Sequence, residues 1–63
     1  MRFPNIEAER ARLGLTKTQL AKALGVSDKT LYNWYHNGAF TVEALQKMAE
    51  MFRCPIDYLL EQN

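Results

Sequence analysis

The apolar residues of this 63-residue chain recur mostly three or four positions apart, which is the spacing of an amphipathic helix rather than of a strand. Within residues 15–34, Gly25 separates two such apolar stripes, and glycine tolerates the left-handed conformation with which a chain leaves a helix abruptly. Ser27 follows as a natural N-cap for the next helix. The pattern therefore predicts two short helices joined by a tight turn. Their apolar anchors are Leu20, Ala21, Leu24, Val26, Leu31 and Trp34.

Three further helices are predicted around this pair. The first is expected to begin after an N-cap at Asn5 and to end near Leu13, with Ile6 and Leu13 packed on one face. Thr16 and Thr41 are expected to cap the second and fourth helices, and Pro55 fits the first turn of the fifth. The core stripe of the fourth helix is predicted to consist of Val42, Leu45, Met48, Ala49 and Phe52, and the apolar residues of the fifth are Ile56, Leu59 and Leu60.

The composition restricts the class of protein. A chain of 63 residues that is 48% hydrophobic, with three glycines and two prolines, fits a single globular domain over residues 1–63 rather than a disordered tail. Cys54 is the only cysteine and cannot form an internal disulfide, and no signal-peptide pattern is visible, so we expect a cytoplasmic protein. No apolar run approaches the length of a membrane span.

The sequence offers no catalytic or metal-binding pattern. His36 is the only histidine and lies eighteen residues before Cys54, which matches no zinc-ligand spacing. Neither a glycine-rich phosphate loop nor a nucleophile motif is present. We therefore expect no enzymatic activity, no metal, no cofactor and no small-molecule substrate.

The distribution of charge favours a nucleic-acid partner more than the total charge does. The net charge is only +1, and nucleic-acid-binding domains are often far more basic. However, residues 10–29 contain five basic side chains and one acid, Asp28, which gives this block a charge of +4. A local positive field of this kind neutralises phosphates and steers their approach. The five basic residues are Arg10, Arg12, Lys17, Lys22 and Lys29.

The segment LTKTQLAKALGVSDKTLYNW, with AERARLG before it and VEALQKMAEMFRCPIDYLLE after it, resembles the Cro/cI family of lambda-repressor-like, XRE-type DNA-binding domains. The resemblance extends from about Phe3 to Leu60. It implies an all-α fold, a compact five-helix bundle, in which helices 2 and 3 form a helix-turn-helix unit. Helix 3 would then enter the major groove of double-stranded DNA.

Four positions of helix 3 are expected to read bases. Helical geometry turns them away from the buried anchors Leu31 and Trp34, and the family resemblance assigns base reading to the same positions. The amide of an asparagine suits adenine, a lysine suits guanine, and a tyrosine ring can pack against a thymine methyl or reach a phosphate. The aspartate either accepts a bond from cytosine or only complements the helix dipole. These residues are Asp28, Lys29, Tyr32 and Asn33.

Phosphate contacts are expected where helices begin and in the loop after helix 3, because free amides and the positive end of a helix dipole attract anions. Lys17 adds a full positive charge there, at a position where family members often have glutamine. The expected phosphate-binding residues are Thr16, Lys17, Ser27, His36, Asn37 and Thr41.

The region around Tyr35 departs from the family. An acidic residue often stands at this position in relatives and pairs with a first-helix arginine; with Tyr35 there, we expect Arg10 to make a cation–π contact with the ring. The glycine at Gly38 also falls about one position later than in the family, so helix 3 is expected to run slightly longer.

The resulting prediction is a sequence-specific transcriptional regulator, a phage or bacterial repressor that binds a pseudo-palindromic operator as a homodimer. The short last helix carries more apolar surface than a small core easily absorbs, so Ile56, Tyr58 and Leu59 form the possible dimer face. The alternative is a protein-interaction module, such as an antitoxin-like or regulatory adaptor. The low net charge, Asp28 and the tyrosines at 32, 35 and 58, expected to be exposed, keep that alternative open.

Overall fold

Five helices account for most of the chain in the computed structural model, which describes residues 3–62. The described range contains no strand, so the predicted all-α, five-helix architecture is confirmed. In chain order the helices are α1 (Pro4–Arg12), α2 (Lys17–Leu24), α3 (Asp28–Asn37), α4 (Val42–Phe52) and α5 (Ile56–Leu59). None of them is both long and apolar enough to cross a membrane.

The turn between α2 and α3 has the predicted form. Gly25 adopts the left-handed conformation with φ 74°, and the amide of Val26 donates to the carbonyl of Ala21 over 3.0 Å. The Ser27 hydroxyl then accepts from the amide of Thr30 over 3.2 Å, which caps the first turn of α3. These bonds satisfy backbone groups at the end of α2 and the start of α3, so the two helices can follow one another closely.

One hydrophobic core joins all five helices. Ala21 is fully buried, and its small side chain permits the close approach of the helix-turn-helix unit to the rest of the bundle. The aromatic rings of Phe3 and Trp34 both pack against Phe40, at centroid distances of 5.0 and 5.6 Å. The fully or nearly fully buried residues are Phe3, Ile6, Leu20, Ala21, Leu24, Leu31, Trp34, Ala44, Met48, Phe52 and Leu59.

The first helix begins earlier than predicted. Its N-cap is Phe3, and Pro4 occupies the first helical position, where the proline ring already has the required φ and the missing amide hydrogen is not needed. The predicted N-cap Asn5 was therefore wrong, and its side chain instead donates to the carbonyl of Tyr58 over 2.8 Å. Leu13 is the C-cap and is 41% exposed, so it does not share the buried face of Ile6.

Three predictions about α4 and α5 were also wrong. Val42 opens α4 and is largely exposed, whereas Ala44, two residues further along the helix, belongs to the core. Pro55 is the N-cap of α5 rather than a residue of its first turn. Leu59 is 0% exposed because the bundle's own core absorbs it, so Leu59 cannot belong to the predicted dimer face.

The third helix ends late, as its glycine predicted. It runs three residues past Trp34 to Asn37, and Gly38 closes it in the left-handed conformation with φ 72°. The amide of Gly38 donates to the carbonyl of Trp34 over 2.8 Å. The extra length keeps His36 on the helix, one turn after Tyr32.

Candidate nucleic-acid interface

The third helix has one buried and one exposed face. Leu31 and Trp34 anchor it in the core, whereas Lys29, Tyr32 and Asn33 are exposed. Tyr32 is 62% exposed even though it is a large aromatic residue. The structure therefore brings these three of the predicted base-reading residues together on one open surface, and contact with bases stays a prediction.

Asp28, the fourth of these residues, is bonded across the turn. Its Oδ2 accepts a hydrogen bond of 2.9 Å from the hydroxyl of Thr18 in the first turn of α2. Asp28 is also the first residue of α3, where a carboxylate complements the helix dipole. Its side chain is thus oriented by α2, and Thr18 was not recognised in the sequence because no local spacing links residues ten positions apart.

The end of α3 is organised by two local interactions. The rings of Tyr32 and His36 lie one turn apart with their centroids 4.3 Å from each other, which restricts the orientation of the Tyr32 ring. The Asn37 side chain accepts from the amide of Ala39 over 2.8 Å and so shapes the turn after the helix. The predicted phosphate contacts of His36 and Asn37 are not tested by these interactions.

The three predicted capping residues at helix starts use their hydroxyls within the protein. Thr16 accepts from the amide of Gln19 over 3.0 Å, and the Gln19 side chain accepts from the amide of Thr16 over 2.8 Å, which is a complete capping box. Ser27 and Thr41 cap α3 and α4 with one such bond each, their hydroxyls accepting from the amides of Thr30 and Ala44. Any phosphate contact of these residues must therefore coexist with capping. Gln19 was missed, although a threonine followed three residues later by glutamine was the available signal.

Lys17 lies between α1 and α3. Its ammonium is 4.0 Å from Glu7 Oε1 and 5.4 Å from the centroid of the Tyr35 ring. The side chain is nevertheless 63% exposed. Arg10 was expected to make the cation–π contact with the Tyr35 ring. In the structure Lys17 makes this contact instead.

Arg10 instead forms a bidentate ion pair on its own helix. Its Nε and Nη2 donate to the two carboxylate oxygens of Glu7 over 3.1 and 3.0 Å, and its Nη1 donates to the carbonyl of Leu15. Two charge-assisted bonds to a carboxylate three residues away are stronger than a contact with a neutral ring. The acidic partner of Arg10 is therefore Glu7 on the same helix. The three-residue spacing in the sequence already allowed this pair.

Burial and charge act in opposite directions on Glu7. Burial alone would raise the pKa of this carboxyl, but the hydrogen bond from Arg10, the nearby Tyr35 hydroxyl and the positive charges of Arg10 and Lys17 outweigh it, so the pKa falls below its ordinary value of 4.5. For Tyr35, burial and then the nearby Glu7 carboxylate raise the pKa of the phenol well above its usual range. The Tyr35 hydroxyl is buried without a geometrically defined hydrogen bond among residues 3–62.

A groove of about 300 Å³ runs between α2 and α3 on this side of the molecule. Lys17 and Thr18 line it from α2, and Tyr32, Tyr35 and His36 line it from α3. The groove therefore combines a cation with aromatic rings next to the exposed face of α3. Among residues 3–62 no three histidine, cysteine, aspartate or glutamate side chains are grouped closely enough to hold a metal ion.

Ion pairs on α1 reduce the positive charge available at this surface. Arg10 pairs with Glu7, and Arg12 pairs with Glu9 over 2.8 Å. The positive field predicted for residues 10–29 therefore depends on three exposed lysines rather than on five basic residues. They are Lys17, Lys22 and Lys29.

Two of the three tyrosines expected on the surface are partly buried. Tyr35 packs against the core with its ring 6.0 Å from that of Phe40. Tyr58 also packs against the core, and its hydroxyl donates to Glu9 over 3.1 Å. Only Tyr32 remains as the exposed aromatic expected of a protein-interaction surface.

Comparison with known proteins agrees with this arrangement. The helix-turn-helix family matches residues 6–59, which is most of the chain. The chain is also similar to the repressor protein CI of Enterobacteria phage phi80, with 42% identity over 50 residues that cover 79% of this chain and 21% of that protein. It thus spans about a fifth of the length of this relative. No solved structure matches the chain significantly. The chain belongs to the helix-turn-helix family of DNA-binding domains.

Proposed function

We propose that this protein is a transcriptional repressor that binds a pseudo-palindromic operator as a homodimer, with α3 of each protomer in the major groove. The observation that carries the proposal is the division of α3 into a face buried by Leu31 and Trp34 and an open face with Lys29, Tyr32 and Asn33. The similarity to a phage repressor supports the regulatory role. A regulator of this kind is a binding protein and not an enzyme.

The open face of α3 matches the dimensions and chemistry of the major groove. An α-helix with its side chains is about 10–12 Å across and the major groove is about 12 Å wide, so the ten-residue α3 fits in the groove with its first turns against the bases. Asn33 is assigned to adenine and Lys29 to guanine, because their donors and acceptors fit those base edges. Tyr32, oriented by His36, is assigned to a thymine methyl or a neighbouring phosphate.

Phosphate binding fixes the position of the protein on the duplex without reading sequence. Lys17 at the start of α2 is the main anchor, together with the amides near Thr16, Ser27 and Thr41 at the other helix starts. His36 and Asn37 lie at the far end of α3 and are assigned to the backbone on that side. Asp28 is bonded to Thr18, which favours an orienting role over a contact with cytosine.

The size of one protomer supports the proposed dimer. Its Cα atoms span 23 × 23 × 21 Å, which is less than the ~34 Å between half-sites one helical turn apart. One protomer therefore covers one half-site, and two are needed for a palindrome. With Leu59 buried, the proposed dimer face comprises the partly buried Ile56 and Tyr58 and the exposed Leu60.

Selection from a random duplex library tests this proposal most directly. We expect enrichment of a palindromic consensus bound by two copies of the chain, and sedimentation of the complex gives that stoichiometry. An unenriched library, or a consensus bound by one copy, would contradict the sequence-specific dimer. The Asn33→Ala variant selected in parallel should lose preference at one base pair of each half-site.

The second candidate function is that of a protein-interaction module which has kept the fold. The net charge of +1 and the exposed Tyr32 favour it. Random duplex DNA discriminates the two functions, because phosphate binding weakens steeply with salt.

We propose that the domain comprises residues 1–63 and acts in the bacterial cytoplasm, or in that of the host if a phage encodes it.

A further inference from the structure

The start of α2 contains a concentration of positive charge that no residue in the first turn of α2 compensates. Lys17 occupies the first helical position, where the free amides already form the positive end of the dipole, and the first turn of α2 contains no acidic residue. The nearest compensating group lies on another helix, since Glu7 of α1 approaches to 4.0 Å from the Lys17 ammonium. The ring of Tyr35 lies below the same ammonium at 5.4 Å.

Glu7 is well placed to keep Lys17 in this position. Its side chain is only 12% exposed, and Arg10 holds both of its oxygens. A carboxylate fixed in this way cannot move away when a phosphate approaches, whereas the 63% exposed Lys17 side chain can. The carboxylate therefore competes with DNA for the charge that the proposed function uses as its main backbone anchor.

We propose that Glu7 is a positioning residue that holds Lys17 back from the DNA backbone and so limits the sequence-independent part of DNA affinity. This inference rests on the proposed function, because it deepens the role of one phosphate anchor. Glu7 lies outside the helix-turn-helix unit and contacts no base in the proposed complex. Its effect is expected on the number of phosphates neutralised and not on which bases are preferred.

The test is the salt dependence of binding to random duplex DNA. Replacing Glu7 by glutamine removes the competing charge, while Arg10 keeps its bond to the carbonyl of Leu15. We expect tighter binding at low salt and a slope of log affinity against log salt that is steeper by up to ~0.9, the value for one added phosphate contact. Between roughly 50 and 200 mM salt, the gain in affinity over the wild type then shrinks about threefold.

Glu9→Gln is the matched control. Glu9 lies on the same helix, is similarly buried and forms the same type of ion pair with an arginine three residues later, so the substitution changes the net charge by the same amount. Glu9, however, contacts Arg12 and Tyr58 rather than Lys17. Glu9→Gln should leave the salt slope at its wild-type value, which separates the local effect from the change in total charge.

A second arm shows whether the effect acts through Lys17. In the Glu7→Gln background, Lys17→Met should remove the whole added slope together with the wild-type contribution of Lys17, so the double variant should have the slope of Lys17→Met alone. In the wild type the same substitution should flatten the slope by less. Glu7→Asp retains the charge but shortens its reach, and it should steepen the slope by a smaller amount. This variant covers the case in which Glu7→Gln does not fold, as judged by urea unfolding.

The possible results separate this inference from the function on which it rests. Wild-type binding that is absent or insensitive to salt would contradict the proposed function. Salt-dependent wild-type binding, with Glu7→Gln and Glu7→Asp giving the same slope as Glu9→Gln, would overturn the role of Glu7 alone. A steeper slope that survives Lys17→Met would also overturn it, because the effect would not pass through Lys17.

Discussion

Replacing Gly25 by alanine measures the energetic cost of the turn that connects α2 to α3. Gly25 has φ 74°, and a Cβ atom built on it meets no heavy atom within 4 Å. The cost is therefore one of backbone conformation alone, about 1–2 kcal/mol for a left-handed residue with a side chain. Alanine also restricts the unfolded chain, which returns ~0.4–1 kcal/mol. We expect a net loss of about 1 kcal/mol in the free energy of unfolding.

Thermal and urea unfolding of Gly25→Ala test this magnitude. A loss of about 1 kcal/mol lowers the Tm of a domain of this size by ~4–8 °C. Arg53→Gly is the reverse experiment, because Arg53 ends α4 in the left-handed conformation with φ 56° and is exposed. It should stabilise the protein by a similar amount. A loss above about 3 kcal/mol for Gly25→Ala would refute the reasoning, since only a disturbed core costs so much.

Three further predictions concern DNA binding and pH. Asn33→Ala should cost ~1–3 kcal/mol on the selected operator and little on random DNA, as measured by competition titrations. Lys17→Ala should weaken binding to both DNAs alike and flatten the salt slope; equal losses of specificity in the two variants would contradict the assigned roles. The lowered pKa of Glu7 contributes stability above its ordinary value of 4.5, and this contribution is lost as the pH falls from 4.5 through the lower folded-state pKa. Urea unfolding down to about pH 3 should show a smaller loss in Glu7→Gln than in the wild type.

Local sequence signals located most of the helices and caps correctly. Thr16, Ser27 and Thr41 cap their helices as expected, because a cap depends on a hydroxyl and on amides only two or three residues away. The same reasoning was wrong for Asn5, because Pro4, directly before it, is a better first residue for a helix. The sequence contained both signals for a helix start, Pro4 and Asn5, but did not show which of them was the stronger.

Periodicity identified apolar stripes but not their ends. Leu13 and Val42 continue the helical spacing, yet both stand at helix termini where no neighbouring helix covers them enough to bury them. Leu59 was misjudged in the opposite direction. The four-residue helix α5 was expected to carry more apolar surface than a small core could bury, yet the core buries Leu59 completely. The extent of a core depends on which helices meet, and spacing along one helix does not contain that information.

The candidate interface divides in the same way. The outward positions of α3 followed from the inward ones, because a helix that buries Leu31 and Trp34 must expose Lys29 and Asn33. The partners of Lys17 did not follow, since Glu7 lies ten residues earlier and reaches it only when α1 packs beside α2. Side-chain partners across helices were thus the least predictable part of the site.

This division has a consequence for how such a domain can change its DNA binding. Substitutions at Lys29, Tyr32 and Asn33 affect exposed side chains that the core does not need, so on the proposed function base preference can change at little cost in stability. In the positioning role that we propose for it, Glu7 acts on backbone affinity from α1, away from the face proposed to read bases. Affinity and base preference are then controlled by residues on different helices that share no contact. Because distant sites are nearly additive, a combined Glu7→Gln and Asn33→Ala variant should show the two single effects added together.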